Sequence, residues 1–127
     1  MPMVNKILLV DDDDATNYLS REILVDLDAA QEIVVAQDGD VACDLIQHNN
    51  CPDIIFLDVR MPRMSGFDFL NRLDKMQVCK KLKVVLLTSS SRVEDREKAL
   101  QYANVLGYLE KPLTWQSARK VIEAYFH

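Results

Sequence analysis

The stretch ILLVDDDDAT, residues 7–16, sets four apolar side chains directly against four adjacent carboxylates. Its apolar half reads as a short strand buried on both faces. The acidic half is harder to place, because like charges held close raise the cost of ionising each one. Acidic residues favour helix N-termini, both as caps and through the helix dipole. That suits Asp13 or Asp14 ahead of a helix, with Asp13 reading as the cap, but it leaves Asp11 and Asp12 without a reason. The rest of the chain has to supply a partner for them.

Apolar runs of the same kind recur at 33–36, 54–57 and 84–87, with a briefer one at 107–109. Between them the apolar residues follow helical spacing. Leu19, Ile23, Leu24 and Leu27 share one face, as do Val41, Leu45 and Ile46, then Phe67, Leu70 and Leu73, and finally Trp115, Ala118, Ile122 and Tyr125. The segment 93–103 carries Glu94, Asp95, Arg96, Glu97 and Lys98 and reads as a loosely held helix. Strand followed by helix, five times over, requires a parallel sheet, since parallel strands need a crossover connection. The predicted fold class is therefore three-layer α/β, a (βα)5 doubly wound parallel sheet of the flavodoxin-like type. Its expected strand order is 2-1-3-4-5, with the polar-flanked run at 33–36 on an edge.

Composition narrows the function classes. At 127 residues with 49% apolar content the chain reads as one globular domain over 1–127 with no output domain. A net charge of −5 without a Lys/Arg block argues against nucleic acid as a direct ligand. No apolar run approaches the ~18 residues that span a bilayer, and MPMVNK lacks the apolar core of a signal peptide. Cys43, Cys51 and Cys79 form no CxxC, and His48 and His127 complete no metal-ligand spacing, so each reads as having no chemical role. A reduced, cytoplasmic compartment is the expectation.

In a parallel sheet every strand ends on the same edge, and ligands bind there, where the strand order switches. The residues that follow each central run are Asp11 and Asp12, then Asp58, then Thr88 and Ser89, then Glu110 and Lys111. Of these, the three aspartates, the Thr88 hydroxyl and the Lys111 ammonium are expected to meet. Clustered carboxylates need a cation, and an all-oxygen set suits Mg²⁺ rather than zinc. A lysine and a hydroxyl beside them complete a phosphate pocket, and a carboxylate can itself be the nucleophile that forms an acyl phosphate.

The pieces ILLVDDD, AQDGDVACDLI, PDIIFLDVRMPRMSGFDFL, VVLLTSS and GYLEKPL, in this order and spacing, resemble the receiver domain of two-component response regulators. The resemblance spans 6–126, and LDVRMPRMSG is its most specific part. It implies a phosphoacceptor signalling domain rather than an enzyme with a separate substrate, one that catalyses its own phosphorylation on Asp58 and its own dephosphorylation. Asp12 would be a direct Mg²⁺ ligand, Asp11 would bind it through water, Asp58 would share it, and the backbone carbonyl of Arg60 would add a further ligand. Lys111 would contact the phosphoryl group, Thr88 would hydrogen-bond it, and Tyr108 would be the switch aromatic that follows Thr88. The Lys111–Pro112 bond would be cis. The implied partners are a sensor histidine kinase or histidine phosphotransfer protein, and a downstream protein reached through the fourth helix, fifth strand and fifth helix; a phosphorylation-dependent dimer stays open. Thr16, Asn17, Ser20 and Arg21 would form the kinase-docking side of the first helix. Arg60 and Ser90 hold the two positions that tune phosphoryl lifetime in this family, and they imply minutes or longer. Trp115 reads either as a core residue or as part of a partner face with Tyr108.

A rival resemblance lies in Asp12-Asp13-Asp14-Ala15-Thr16, which fits the opening motif of haloacid-dehalogenase-type phosphatases with Asp12 as nucleophile. That family needs an acidic pair after the lysine, and downstream of Lys111 this chain has only Glu123. A degenerate receiver that acts only as a docking module is a second alternative. A flavin-binding protein of the same topology is a third, but no Ser/Thr/Gly-rich phosphate loop follows the first strand.

Overall fold

A computed structural model describes residues 4–48, 51–89 and 92–125. The chain alternates strand and helix throughout: β1 (Val4–Val10), α1 (Asp14–Asp26), β2 (Ala30–Ala36), α2 (Gly39–Gln47), β3 (Ile54–Leu57), α3 (Gly66–Met76), β4 (Lys83–Thr88), α4 (Val93–Ala99), β5 (Val105–Glu110) and α5 (Trp115–Tyr125). All strand pairs are parallel, in the order β2-β1-β3-β4-β5. This is the expected doubly wound, flavodoxin-like sheet.

Continuous apolar runs work here because successive residues of a strand point to opposite faces and both faces are covered. Leu8, Val10, Ile55, Leu57, Val84 and Leu86 pack on one side with Ala42 and Ile46 of α2 and with Phe69, Leu70 and Leu73 of α3. Ile7, Leu9, Ile54, Phe56, Val85 and Leu87 pack on the other with Leu24 of α1 and with Ala118 and Ile122 of α5.

Three expectations need correction. The inward face of α1 is Asn17, Ser20 and Leu24, while Leu19 is 56% exposed. Polar residues take this face because the Asn17 side-chain amide donates to the Asp11 carbonyl at 2.9 Å, which a leucine cannot do. Asn17 and Ser20 therefore cannot serve as a docking surface, although Arg21 remains exposed. On α2, likewise, Val41 lies outside and Ala42 and Cys43 inside. The fourth helix stops at Ala99 rather than running on to residue 103. Beyond it, Gln101 and Tyr102 donate to Lys98 and Ala99, three residues back, so the chain tightens and turns into β5.

The cysteines are the third correction. Cys51 and Cys79 form a disulfide, and only Cys43 is free. Cys51 precedes β3 and Cys79 precedes β4, and these strands are neighbours, so a pair 28 residues apart in sequence meets at the start of the sheet. The cysteine count thus gives no support to a reduced compartment. Trp115 is 38% exposed with Arg119 over its ring at 5.1 Å, so it is not a core residue. The Tyr125 side chain, Ser90 and His127 lie outside the described residues.

Candidate functional site

Sheet pairing carries the acids to their places. The Asp11 N–H donates to Ala36 of β2 at 3.2 Å, and the Asp58 N–H donates to Val10 of β1 at 2.9 Å, so both residues continue the ladder one step beyond their strands. Immediately afterwards the chain departs into a helix or loop, leaving both carboxyl groups at the sheet's C-terminal edge. Both residues are nonetheless buried, whereas Asp12 is exposed. One carboxylate oxygen from each of Asp11, Asp12 and Asp58 lies within 4.8 Å of the others. Lys111, at the end of β5, reaches in from the other side, with Nζ 2.7 Å from Asp11 and 3.5 Å from Asp58.

The electrostatics follow from this crowding. Burial pushes the Asp58 carboxyl above its ordinary value and the Asp11 charge pushes the same way, while Lys111 and the Arg60 N–H pull it back. Burial alone would depress Lys111, but its hydrogen bond to Asp11 and the charges of Asp11 and Asp58 outweigh that, so the ammonium is held above its usual range. Three carboxylates against one ammonium leave two negative charges, which one divalent cation balances. The donors are all oxygen, and Mg²⁺ is held by carboxylates with waters or phosphate oxygens filling its remaining positions, so the residues present fit that ion.

The remaining members of the acidic run have other work. Asp13 caps α1, accepting from the Ala15 N–H at 3.0 Å and the Thr16 hydroxyl at 3.1 Å, and these bonds hold its carboxyl below the ordinary value. Asp14 accepts from the Gln37 side chain. The acidic run DDDD thus serves two purposes: Asp11 and Asp12 belong to the carboxylate cluster, and Asp13 and Asp14 to the helix start.

The segment LDVRMPRMSG folds into a loop between β3 and α3 that wraps back under Asp58. The Gly66 N–H donates to the Val59 carbonyl at 2.8 Å, and a Cβ on Gly66 would lie 2.5 Å from the Asp58 carbonyl oxygen and 2.9 Å from the Val59 Cα. Only glycine permits that approach. Ser65 and Asp68 then start α3 with a reciprocal capping box. Met64 lies over Gly39, where a Cβ would stand 2.3 Å from its sulfur, so the loop also rests on the first turn of α2.

Thr88 is fully buried at the end of β4, and the Lys111 N–H donates to its carbonyl at 2.8 Å. Tyr108 is half-buried on β5, packs against the α2/α3-side core and has the Arg96 guanidinium 5.4 Å from its ring. The Lys111–Pro112 peptide bond is cis. The Arg60 N–H donates to the Asp58 carboxylate, and the Arg60 side chain extends to Asp95 of α4 at 3.6 Å. That last contact was not legible in the sequence, since it depends on where α4 sits above the loop.

Comparison with known proteins agrees with this arrangement. The response regulator receiver domain family matches residues 7–123. The chain is 32% identical over 121 residues to the chemotaxis protein CheY of Pseudomonas aeruginosa, covering 95% of each chain. It is 36% identical over 109 residues to the transcriptional regulatory protein CpxR of Escherichia coli, covering 86% of this chain and 44% of that protein. Among solved structures, a two-component response regulator from Cytophaga hutchinsonii superimposes with a TM-score of 0.88 at 27% identity, covering 98% of both chains.

Proposed function

The chain belongs to the response regulator receiver domain family, and from that premise we propose that it accepts a phosphoryl group on Asp58 in a Mg²⁺-dependent reaction. The observation that carries the proposal is the convergence of Asp11, Asp12, Asp58 and Lys111 on one sheet edge. The donor is a phosphohistidine on a sensor histidine kinase or a phosphotransfer protein. Such a donor carries with it a cytoplasmic location, and among the described residues no helix is long and apolar enough to cross a membrane.

In the reaction a carboxylate oxygen of Asp58 attacks the phosphorus, an O–P bond forms, and the N–P bond to the donor imidazole breaks. The features that raise the Asp58 pKa also make its carboxylate a better nucleophile than a solvated one. Asp11, Asp12 and Asp58, with the Arg60 carbonyl, would hold Mg²⁺, which supplies charge neutralisation for the phosphoryl oxygens. Lys111 stands between Asp11 and Asp58, where its ammonium can move from carboxylate to phosphoryl oxygen. The Thr88 hydroxyl turns toward the new oxygens, and Tyr108 follows into the space it leaves. The surface of α4, β5 and α5 changes as a result, for a partner protein to read. Exposed Tyr18, Leu19 and Arg21 on α1 offer the docking surface for the donor.

Intact mass after incubation with acetyl phosphate and Mg²⁺ tests the proposal. Wild type gains one phosphoryl group, and the gain disappears in Asp58→Asn and in EDTA. No gain in wild type would leave a docking module, and persistent labelling of Asp58→Asn would redirect the chemistry to Asp12.

A further inference from the structure

The loop after β3 and the helix α4 face each other across a cleft of about 440 Å³, with Arg60, Met61 and Ser65 on one wall and Asp95 and Lys98 on the other. Two side-chain contacts bridge it. Arg60 pairs with Asp95 at 3.6 Å, and the Lys98 ammonium lies 4.4 Å from the centre of the Phe67 ring. α4 is a short helix that is further held by Arg96 over the Tyr108 ring of β5: it has seven residues, its N-terminus has no side-chain cap, and Ala99 alone of its residues is buried. Arg60 therefore touches both parties, the phosphoacceptor through its main-chain N–H and α4 through its guanidinium.

We propose that the Arg60–Asp95 ion pair is an exchangeable tie, which holds α4 to the phosphorylation loop until a phosphoryl group on Asp58 draws the Arg60 guanidinium away. The inference rests on the phosphoacceptor role of Asp58. Its basis is a competition between two anions for one cation. Arg60 is 57% exposed and its contact with Asp95 is long, so the pair is of the weak surface type. A phosphoryl group two residues before Arg60 offers a near-dianion with three acceptor oxygens, and guanidinium–phosphate pairs are shorter and stronger. One movement then has two effects: the phosphoryl group gains a shield against water, and α4 loses a tether on the face toward the loop. Because such coupling is reciprocal, weakening the tie from the α4 side must favour the shielded state. Arg60 is here a positioning residue that acts on lifetime and on α4, not on the transfer step.

The test measures phosphoryl half-life by intact mass after acetyl phosphate is removed, in wild type, Asp95→Asn, Arg60→Ala and the double variant. Asp95→Asn should lengthen the half-life about two- to fivefold, the factor a surface ion pair is worth. Arg60→Ala should shorten it, and adding Asp95→Asn to Arg60→Ala should change nothing further. Hydrogen exchange in α4 of unphosphorylated Asp95→Asn should rise toward that of phosphorylated wild type. An unchanged half-life in labelled Asp95→Asn, or an equal effect of Asp95→Asn with and without Arg60, overturns the tie while leaving the phosphoacceptor role intact. Failure of wild type to take up label at all overturns both.

Discussion

At the ends where the strands begin, the Asp53 carboxylate accepts hydrogen bonds from the N–H groups of Asn5 and Lys6 at 2.8 and 3.0 Å, and its carbonyl accepts from Lys83. The Cys51–Cys79 disulfide ties the entries of β3 and β4 together beside it. At the ends where the same strands finish, two buried carboxylates and an exposed one crowd around a single ammonium. One end of the sheet has its polar groups paired and covalently fastened; the other carries an unbalanced charge. An unbalanced site is destabilising until something binds it, which is why the chemistry of a parallel sheet resides at the second end and its anchorage at the first.

Substitutions at the two ends should therefore act in opposite ways. Cys51→Ser opens a 28-residue loop in the unfolded chain and should cost about 3 kcal/mol, read as a lower denaturation midpoint, yet leave phosphoryl uptake unchanged. Loss of uptake in a folded Cys51→Ser protein would break the distinction. Gly66→Ala should cost about 2 kcal/mol and also impair uptake, because its Cβ meets the main chain of Asp58 and Val59. The contrast is Gly107→Ala on β5, where nothing lies within 4 Å and the change should be near neutral.

Asp58→Asn should abolish uptake and at the same time stabilise the metal-free fold, on the order of 1 kcal/mol or roughly 4 °C at pH 7. The sign follows from the shift. A carboxyl held above 3.8 in the fold binds its proton more tightly there than in the unfolded chain. Its ionisation penalty is absent well below pH 3.8, grows as the pH rises beyond that value and is complete above the raised one. The advantage of Asp58→Asn should appear over the same range, as melting curves at several pH values would show. Lys111 works in the other direction: its pKa is raised above 10.5, so the stability it contributes is full below that pH and fades above it.

Much of this was legible in the sequence for a physical reason. Strands covered on both faces must be apolar at every position, so 54–57 coincides with β3 and 84–87 falls inside β4. The beginnings of β1 and β2 were not visible, since Asn5, Gln31 and Glu32 are exposed polar residues that interrupt the apolar pattern. Strand-end residues could be read because parallel topology sends all C-termini to one edge, and Asp11, Asp12, Asp58 and Lys111 meet there. What eluded the sequence depends on packing between distant segments. The α1 face turned on one bond from Asn17 to the Asp11 carbonyl, the disulfide on β3 lying next to β4, and the Arg60–Asp95 pair on the position of α4.

The measurement closest to the contrast between the two ends is the melting temperature with and without Mg²⁺ for wild type, Cys51→Ser and Asp58→Asn. Binding at the carboxylate cluster should stabilise wild type by about 1.4 kcal/mol at tenfold the Kd. Cys51→Ser should show the same rise from a lower starting point, and Asp58→Asn, already relieved of one charge, should show little. A full Mg²⁺ rise in Asp58→Asn, or its disappearance in Cys51→Ser, would contradict the separation of a structural end from a chemical one.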